Sequence, residues 1–453
     1  MIELTLGKIA EIVDGTLAGP ADLSVSGPAF VDSRKVQPGG LFVAIAGEKS
    51  DGHQHVPAAL RAGAAAVLAS SPVDAPAVLV DDPTTALAKL AQWSIANLRG
   101  NPGLTVIALT GSQGKTSVKD LVGHILETQG STVFPEGSFN NELGVPLTML
   151  RADVETRWLV LEMGARGIGH ISYLCSLASP DVGAVLNVGS AHVGEFGSVE
   201  NIARAKAEIV DNLAVGGTSV INADDERVLD TTRAHAGPRI LFGFGSEADV
   251  QITHPSLDDL GHPRFDLTYE GETWPVVVPQ IGFHHAINAG AAFAIARAAG
   301  IEPEHIVAAL ATATPKSAMR MEAARTQSGA LVINDAYNAN PESVTAALRT
   351  LAEIAPERSI AVLGPMLELG ADSAAQHAKI GELAKTLDID RVIVVGEIAA
   401  PIAGTAGNPG EFFGTVEDAV DALKASLLPT DTVLVKASRS IGLEKLVEQL
   451  LPL

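Results

Sequence analysis

The stretch from Val106 to Ser117 constrains the chain most. An apolar run, Val106-Ile107-Ala108-Leu109, leads into Thr110-Gly111-Ser112-Gln113-Gly114-Lys115-Thr116-Ser117. The run predicts a buried strand. Beyond the turn, Val118, Leu121, Val122, Ile125 and Leu126 recur at helical spacing, with Gly130 as the expected C-cap. Strand, glycine turn and helix form a phosphate cradle, because glycines let the backbone close around an anion. The helix N-terminus adds free N–H groups and a positive dipole end. Lys115 is placed to reach the β/γ-phosphates of ATP, and the Thr116 hydroxyl to hold Mg²⁺. The spacing is shorter than the full Walker pattern, which has a glycine where Leu109 stands. A plain strand–helix turn is the alternative, but the framing strand and amphipathic helix favour a nucleotide site.

Composition narrows the setting. A chain of 453 residues predicts about three domains. Apolar residues make up 47% and aromatics only 4%, so the cores are Ala/Val/Leu/Ile-rich and suit α/β layers. The net charge of −22 repels nucleic acid and anionic membrane, so neither partner is expected. Anionic ligands must then be held by local cations and helix ends. The single cysteine, Cys175, excludes an internal disulfide and fits a reducing compartment. It sits in an apolar run and is expected to be a buried, inert thiol. Met1–Val13 carries Glu3, Lys8 and Glu11 and does not read as a signal peptide. No apolar run approaches the roughly 20 residues of a membrane span. A soluble cytoplasmic protein is expected.

The pattern divides the chain into residues 1–99, 100–313 and 314–453. The first block is small and mixed α/β. The second alternates strands (105–110, 158–162, 182–188, 218–222, 239–243) with helices, the pattern of a doubly wound, mostly parallel sheet. A hairpin is expected around Glu270-Gly271-Glu272. The third block, with strands at 331–333, 359–363, 391–395 and 432–435, reads as a second Rossmann-like unit.

Further candidates lie where strands end. Glu162 closes the run Trp158–Leu161 and is placed like a metal-binding acid, or is a solvated strand-end glutamate. His192 follows the strand through Val188 and is a ligand or a satisfied polar group. Lys206 lies on the predicted helix 200–213, where a solvated face is the plain reading. Asn288, one turn into the Ala-rich helix after Gly282, is positioned to hydrogen-bond a nucleotide or to serve the helix start. Asp335–Pro341 reads as a binding loop or an ordinary turn. Lys436-Ala437-Ser438-Arg439 offers two cations and a hydroxyl for a carboxylate, or is a solvated charged turn.

Together these residues resemble the Mur ligase family, the ATP-dependent amide-forming enzymes of peptidoglycan synthesis. Thr110–Thr116 is similar to that family's shortened phosphate loop. The resemblance implies that Glu162, His192 and Lys206 correspond to its metal carboxylate, metal-linked histidine and carbamylated lysine, and that Asn288, Arg320 and Asp335 contact the adenine nucleotide. Asp32-Ser33-Arg34 with Gly39–Ala44 and Asp51-Gly52-His53 resembles a uridine-binding first domain. Phe139-Asn140-Asn141-Glu142 resembles a substrate loop, in which Asn140 and Asn141 would orient the muramoyl peptide. Tyr337-Asn338-Ala339-Asn340-Pro341-Glu342-Ser343, Met366–Gly370 with His377, and Lys436, Ser438 and Arg439 are similar to third-domain signatures. Pro365, Ala437 and His285 depart from the usual Asp, Gly and Asn. The absence of an Asp-Asn-Pro-Arg motif favours the dipeptide-adding member over the diaminopimelate-adding one; a sibling ligase adding a single amino acid, a folylpolyglutamate synthetase-like enzyme and a nucleotide-gated binding module are the alternatives. The resemblance therefore implies the substrates UDP-N-acetylmuramoyl-tripeptide and D-alanyl-D-alanine, joined through an acyl phosphate with ATP and Mg²⁺. It further implies a monomer whose third domain closes over the nucleotide.

Overall fold

The computed structural model describes residues 1–47, 50–100, 103–189, 193–407 and 410–452. Three principal sheets carry the fold. The central one has nine strands in the spatial order 272–277, 263–269, 250–257, 239–243, 218–222, 182–185, 105–110, 158–162, 132–133. From 132–133 across to 250–257 every pairing is parallel, and the last two pairings are antiparallel. The chain leaves strand 105–110 for one side of the sheet, then crosses to its other side at 182–185. Strand 105–110 is therefore the switch point, where a crevice opens at the C-terminal strand edges.

The helix Lys115–Glu127 forms because its apolar positions make one stripe. Val118, Leu121, Val122, Ile125 and Leu126 are all fully buried. It does not end at Gly130 as expected. Thr128 caps it in the right-handed region, and Gly130 donates its N–H to the Leu126 carbonyl within a tight continuing turn, so no left-handed cap is needed. The Ala-rich helix His284–Ala298 is buried over most of its circumference, between the helix Lys115–Glu127 and the sheet. Small side chains permit that approach. A Cβ on Gly290 would lie 2.6 Å from Ile252 Cδ1. The expected hairpin is present as the outer part of a three-stranded meander. Its turn, Glu270-Gly271, has φ of 51° and 84°, matching the positive-φ pair of a tight two-residue hairpin turn.

The predicted strand 182–188 stops at Val185. The chain then curls across the phosphate loop. Leu186 N–H donates to Thr110 O, and Asn187 O accepts from Ser112 N–H.

The N-terminal sheet runs 16–18, 77–79, 66–69, 41–44, 29–30, parallel except for the first pair. The C-terminal sheet runs 322–325, 331–334, 431–436, 358–363, 391–395, 410–413, again parallel except at its first pair. Cys175 is buried against Met163, and burial pushes its thiol up to about 12, so it carries no nucleophile at neutral pH. Among the described residues, no helix is long and apolar enough to cross a membrane.

Candidate active site

Strand 105–110 delivers Thr110 to the sheet edge, and the turn that follows is shaped by two glycines. Gly114 sits at φ 78°, the left-handed position that starts the helix at Lys115, and a Cβ there would press on Asn288 Oδ1 at 2.8 Å. A Cβ on Gly111 would meet Leu186 Cβ at 2.9 Å. Asn187 clamps the loop from the neighbouring strand. Its Oδ1 accepts from Gln113 N–H at 3.0 Å, and its Nδ2 donates to Gln113 O at 3.2 Å. Ser112 Oγ accepts from Gly189 N–H at 2.8 Å. The sequence signal for Asn187 is its place directly after the apolar run Val182–Leu186, at the same sheet edge as Glu162.

The loop faces a cavity of about 410 Å³. Lys115 Nζ donates to Gly111 O at 2.6 Å, folded back onto the phosphate loop. Burial and the nearby Arg320 lower its pKa, while Glu162 opposes them. Thr116 Oγ1 donates to Glu162 Oε2 at 3.0 Å, and Asn140 Nδ2 donates to Glu162 Oε1 at 2.7 Å. Glu162 is 1% exposed, so its carboxylate is held by these two donors inside the protein rather than by bulk water. Lys206 lies on the helix Val199–Asp211, not on a solvated face. It is buried, lines the cavity, and has a pKa well below the usual range because of burial and the Lys115 charge. His192 lies outside the described residues. Ser117 lines the cavity one residue beyond Thr116.

The opposite wall comes from the third sheet. Arg320 Nη2 donates to Thr116 Oγ1 at 3.3 Å, so the two walls touch directly across the loop. Asp335 and Lys436, each at the end of a parallel strand, pair at 2.6 Å, and Lys436 Nζ also donates to Asn338 O at 2.9 Å. Burial lowers the Lys436 pKa, against the pull of Asp335. Among the described residues, Asn288 Nδ2 is buried with no hydrogen-bond partner, as are the Nδ1 atoms of His284 and His285, whose rings lie 4.3 Å apart. Burial holds His284 down to about 4 and drives His285 lower than its ordinary value. Three orphaned polar atoms in one cavity wall are the mark of a ligand site.

Other predicted residues have local duties. Asn340 caps the helix Pro341–Ile354, accepting from Ser343 N–H at 2.8 Å, while also lining the cavity. Asn141 Oδ1 accepts from Gly144 N–H at 2.9 Å and also lines it. Ser438 Oγ accepts from Leu367 N–H at 3.1 Å, and Arg439 pairs with Glu444 at 2.7 Å; neither is among the lining residues. His377 is buried and accepts from Met366 N–H at 2.9 Å. Ser33 and Arg34 lie elsewhere, beside a smaller hollow of about 110 Å³ lined by Asp32, Lys35, Phe139 and Arg151. Arg34 grips Asp32 through two hydrogen bonds, 2.9 and 2.8 Å, and so holds that carboxyl down to about 2.

A phosphate loop at the switch point of a parallel sheet, a buried hydroxyl–carboxylate pair beside it and cations from a second unit define a P-loop nucleotide enzyme. Three family models match the chain: Mur ligase family, catalytic domain, over residues 30–94; Mur ligase middle domain over 109–296; and Mur ligase, glutamate ligase domain, over 319–439. A protein of Mycobacterium tuberculosis named UDP-N-acetylmuramoyl-tripeptide--D-alanyl-D-alanine ligase is 42% identical, over 99% of this chain and 98% of its own. The crystal structure of MurF from Acinetobacter baumannii matches with a TM-score of 0.87 at 30% identity, covering 99% of both chains. MurF ligase from Thermotoga maritima, solved in complex with ADP, matches with a TM-score of 0.82 at 29% identity over 94% of this chain and 97% of its own. The chain belongs to the Mur ligase family.

Proposed function

We propose that this chain is an ATP-dependent ligase that joins the amino group of D-alanyl-D-alanine to the peptide carboxylate of UDP-N-acetylmuramoyl-tripeptide, in the cytoplasm. The observation that carries the reading is one cavity in which Lys115, Thr116 and Glu162 of the central sheet face Asp335 and Lys436 of the third, in a chain with full-length similarity to ligases of that name. The division of labour follows the sheets. Residues 1–99 hold the uridine end, 100–313 hold ATP, and 314–453 bring the amine and close over the nucleotide.

A free carboxylate is a poor acyl donor, because its oxygen leaves badly. Attack of that oxygen on the γ-phosphorus forms a P–O bond, breaks the bond to the β-phosphate oxygen and releases ADP. The resulting acyl phosphate has a good leaving group. The dipeptide amine adds to its carbonyl, losing one proton, and inorganic phosphate departs from the tetrahedral intermediate. Lys115 and the N-terminus of its helix stabilise charge on the transferring phosphoryl oxygens. Asn140 and Asn141 would orient the peptide, and Lys436 would offer the dipeptide carboxylate a cation.

Thr116 and Glu162 fit Mg²⁺. They are hard oxygen donors, adjacent and buried beside the phosphate loop, and they leave other positions to phosphate oxygens and water. Mg²⁺ bound there would neutralise phosphate charge. Lys206 supports a second anionic ligand, with His192 as its companion. A lysine whose neutral amine is favoured reacts with CO₂ to give a carbamate and a proton.

Phosphate release with ATP and UDP-muramoyl-tripeptide tests the reading. Release is expected to depend on D-alanyl-D-alanine and to fail with single amino acids. Release that ignores the amine, or that prefers glutamate or diaminopimelate, overturns it.

A further inference from the structure

Six residues close a circuit around the cavity. Arg320 lies over the Tyr337 ring, 4.3 Å from its centroid. The Arg320 guanidinium donates to Thr116 Oγ1 at 3.3 Å, and Thr116 donates to Glu162 at 3.0 Å. Asn140 donates to the other Glu162 oxygen at 2.7 Å. Two residues earlier on the same loop, the Ser138 hydroxyl is hydrogen-bonded to the Tyr337 hydroxyl. One arc of this circuit, Arg320 to Thr116, borders the phosphate loop. The other, Ser138 to Asn140, lines the same cavity on the loop that the ligase reading assigns to the muramoyl peptide. Tyr337 touches both arcs, its ring on one and its hydroxyl on the other. The contacts span five separate chain segments and two sheets, so neither unit could build the circuit alone.

We propose that Tyr337 is a positioning residue that couples nucleotide occupancy to the peptide-binding loop. It rests on the ligase reading above. The ring fixes Arg320, and so the side of the loop that a triphosphate must meet. The hydroxyl then fixes Ser138 and the Asn140 that follows. A nucleotide that settles Arg320 also settles Tyr337, and the peptide loop is ordered before its substrate arrives. Linkage makes the effect reciprocal: the peptide substrate must tighten nucleotide binding by the same factor.

The test is the affinity for UDP-muramoyl-tripeptide with and without a non-hydrolysable ATP analogue and Mg²⁺. The unaltered protein is expected to bind the peptide substrate about fivefold or more tighter when the analogue is present. Tyr337→Phe keeps the ring against Arg320 and removes only the hydroxyl. Its affinity for the analogue alone should be unchanged, while the tightening falls to about twofold or less. Ser138→Ala cuts the same contact from the other side, in a half-buried loop position that folding tolerates, and should give the same loss. The double variant should lose no more than either single one, because all three remove one contact. Undiminished tightening in Tyr337→Phe or Ser138→Ala overturns the proposal, as does absence of tightening in the unaltered protein. Failure of the ligase reading looks different, since phosphate release then no longer depends on D-alanyl-D-alanine.

Discussion

Lys206 is the residue whose sequence context misleads most. Helical periodicity around it reads as an ordinary amphipathic helix, and charge on such a helix normally faces water. In the fold the residue lies inside the cavity, near Lys115, and both burial and like charge favour its neutral amine. Lys206→Ala is expected to lose nearly all ligase activity, and added formate or acetate to restore part of it by supplying the missing anion; a variant as active as the parent contradicts a metal-linked carbamate. His284 makes a prediction of another kind. Its folded pKa is about 4 against an ordinary 6.5, through burial, although Asp335 opposes the shift. Between those values the unfolded chain binds a proton that the native state does not. Stability from this group is therefore complete above about pH 6.5 and is lost as pH falls toward 4. His285 acts in the same direction. The melting temperature should drop between pH 7 and pH 5, and His284→Gln should drop less over that interval. An equal drop in the variant removes His284 from the explanation.

Secondary structure was readable wherever it is encoded by neighbours. The phosphate loop is a local device: an apolar strand, two glycines and a stripe of Val118, Leu121 and Ile125 lie within twenty-odd residues, and each supplies its own signal. The edge strands of the C-terminal sheet supply none. Glu322-Ala323-Ala324-Arg325 is mostly exposed and Gly410-Glu411-Phe412-Phe413 only partly buried, so neither shows the apolar run that marks the strands inside the same sheet. They pair because the sheet offers them a partner, not because their own side chains demand it. Helix contacts are likewise invisible until the fold places them. Gly381 lies mid-helix in Ser373–Thr386, where sequence alone would favour alanine by about 1 kcal/mol. In the fold, a Cβ there would overlap Thr405 Oγ1 and the Ile402 carbonyl of the facing helix. Gly381→Ala is therefore expected to destabilise the protein by roughly 1–3 kcal/mol in denaturant unfolding, the cost of overpacking; a more stable variant would mean that the two helices can separate freely.

The cavity itself belongs to the whole molecule. Glu162, Asp335 and Lys436 can each be suspected from its own strand end, yet nothing in the sequence says that Arg320 reaches Thr116 across some two hundred residues, or that Ser138 meets Tyr337. Those contacts exist because two parallel sheets present their C-terminal edges to one another, and three reactants can then be held together where none could be held by one unit. Proximity of that kind is worth several kcal/mol of barrier, provided the groups stay aligned. The reading that follows is chemical: ATP energises the peptide acid before the dipeptide amine attacks. It is tested most directly by labelling the reacting carboxylate of UDP-muramoyl-tripeptide with ¹⁸O and running the complete reaction. If an acyl phosphate forms, one labelled oxygen per turnover appears in the inorganic phosphate. Phosphate that carries no label, alongside normal amounts of amide product, would contradict it.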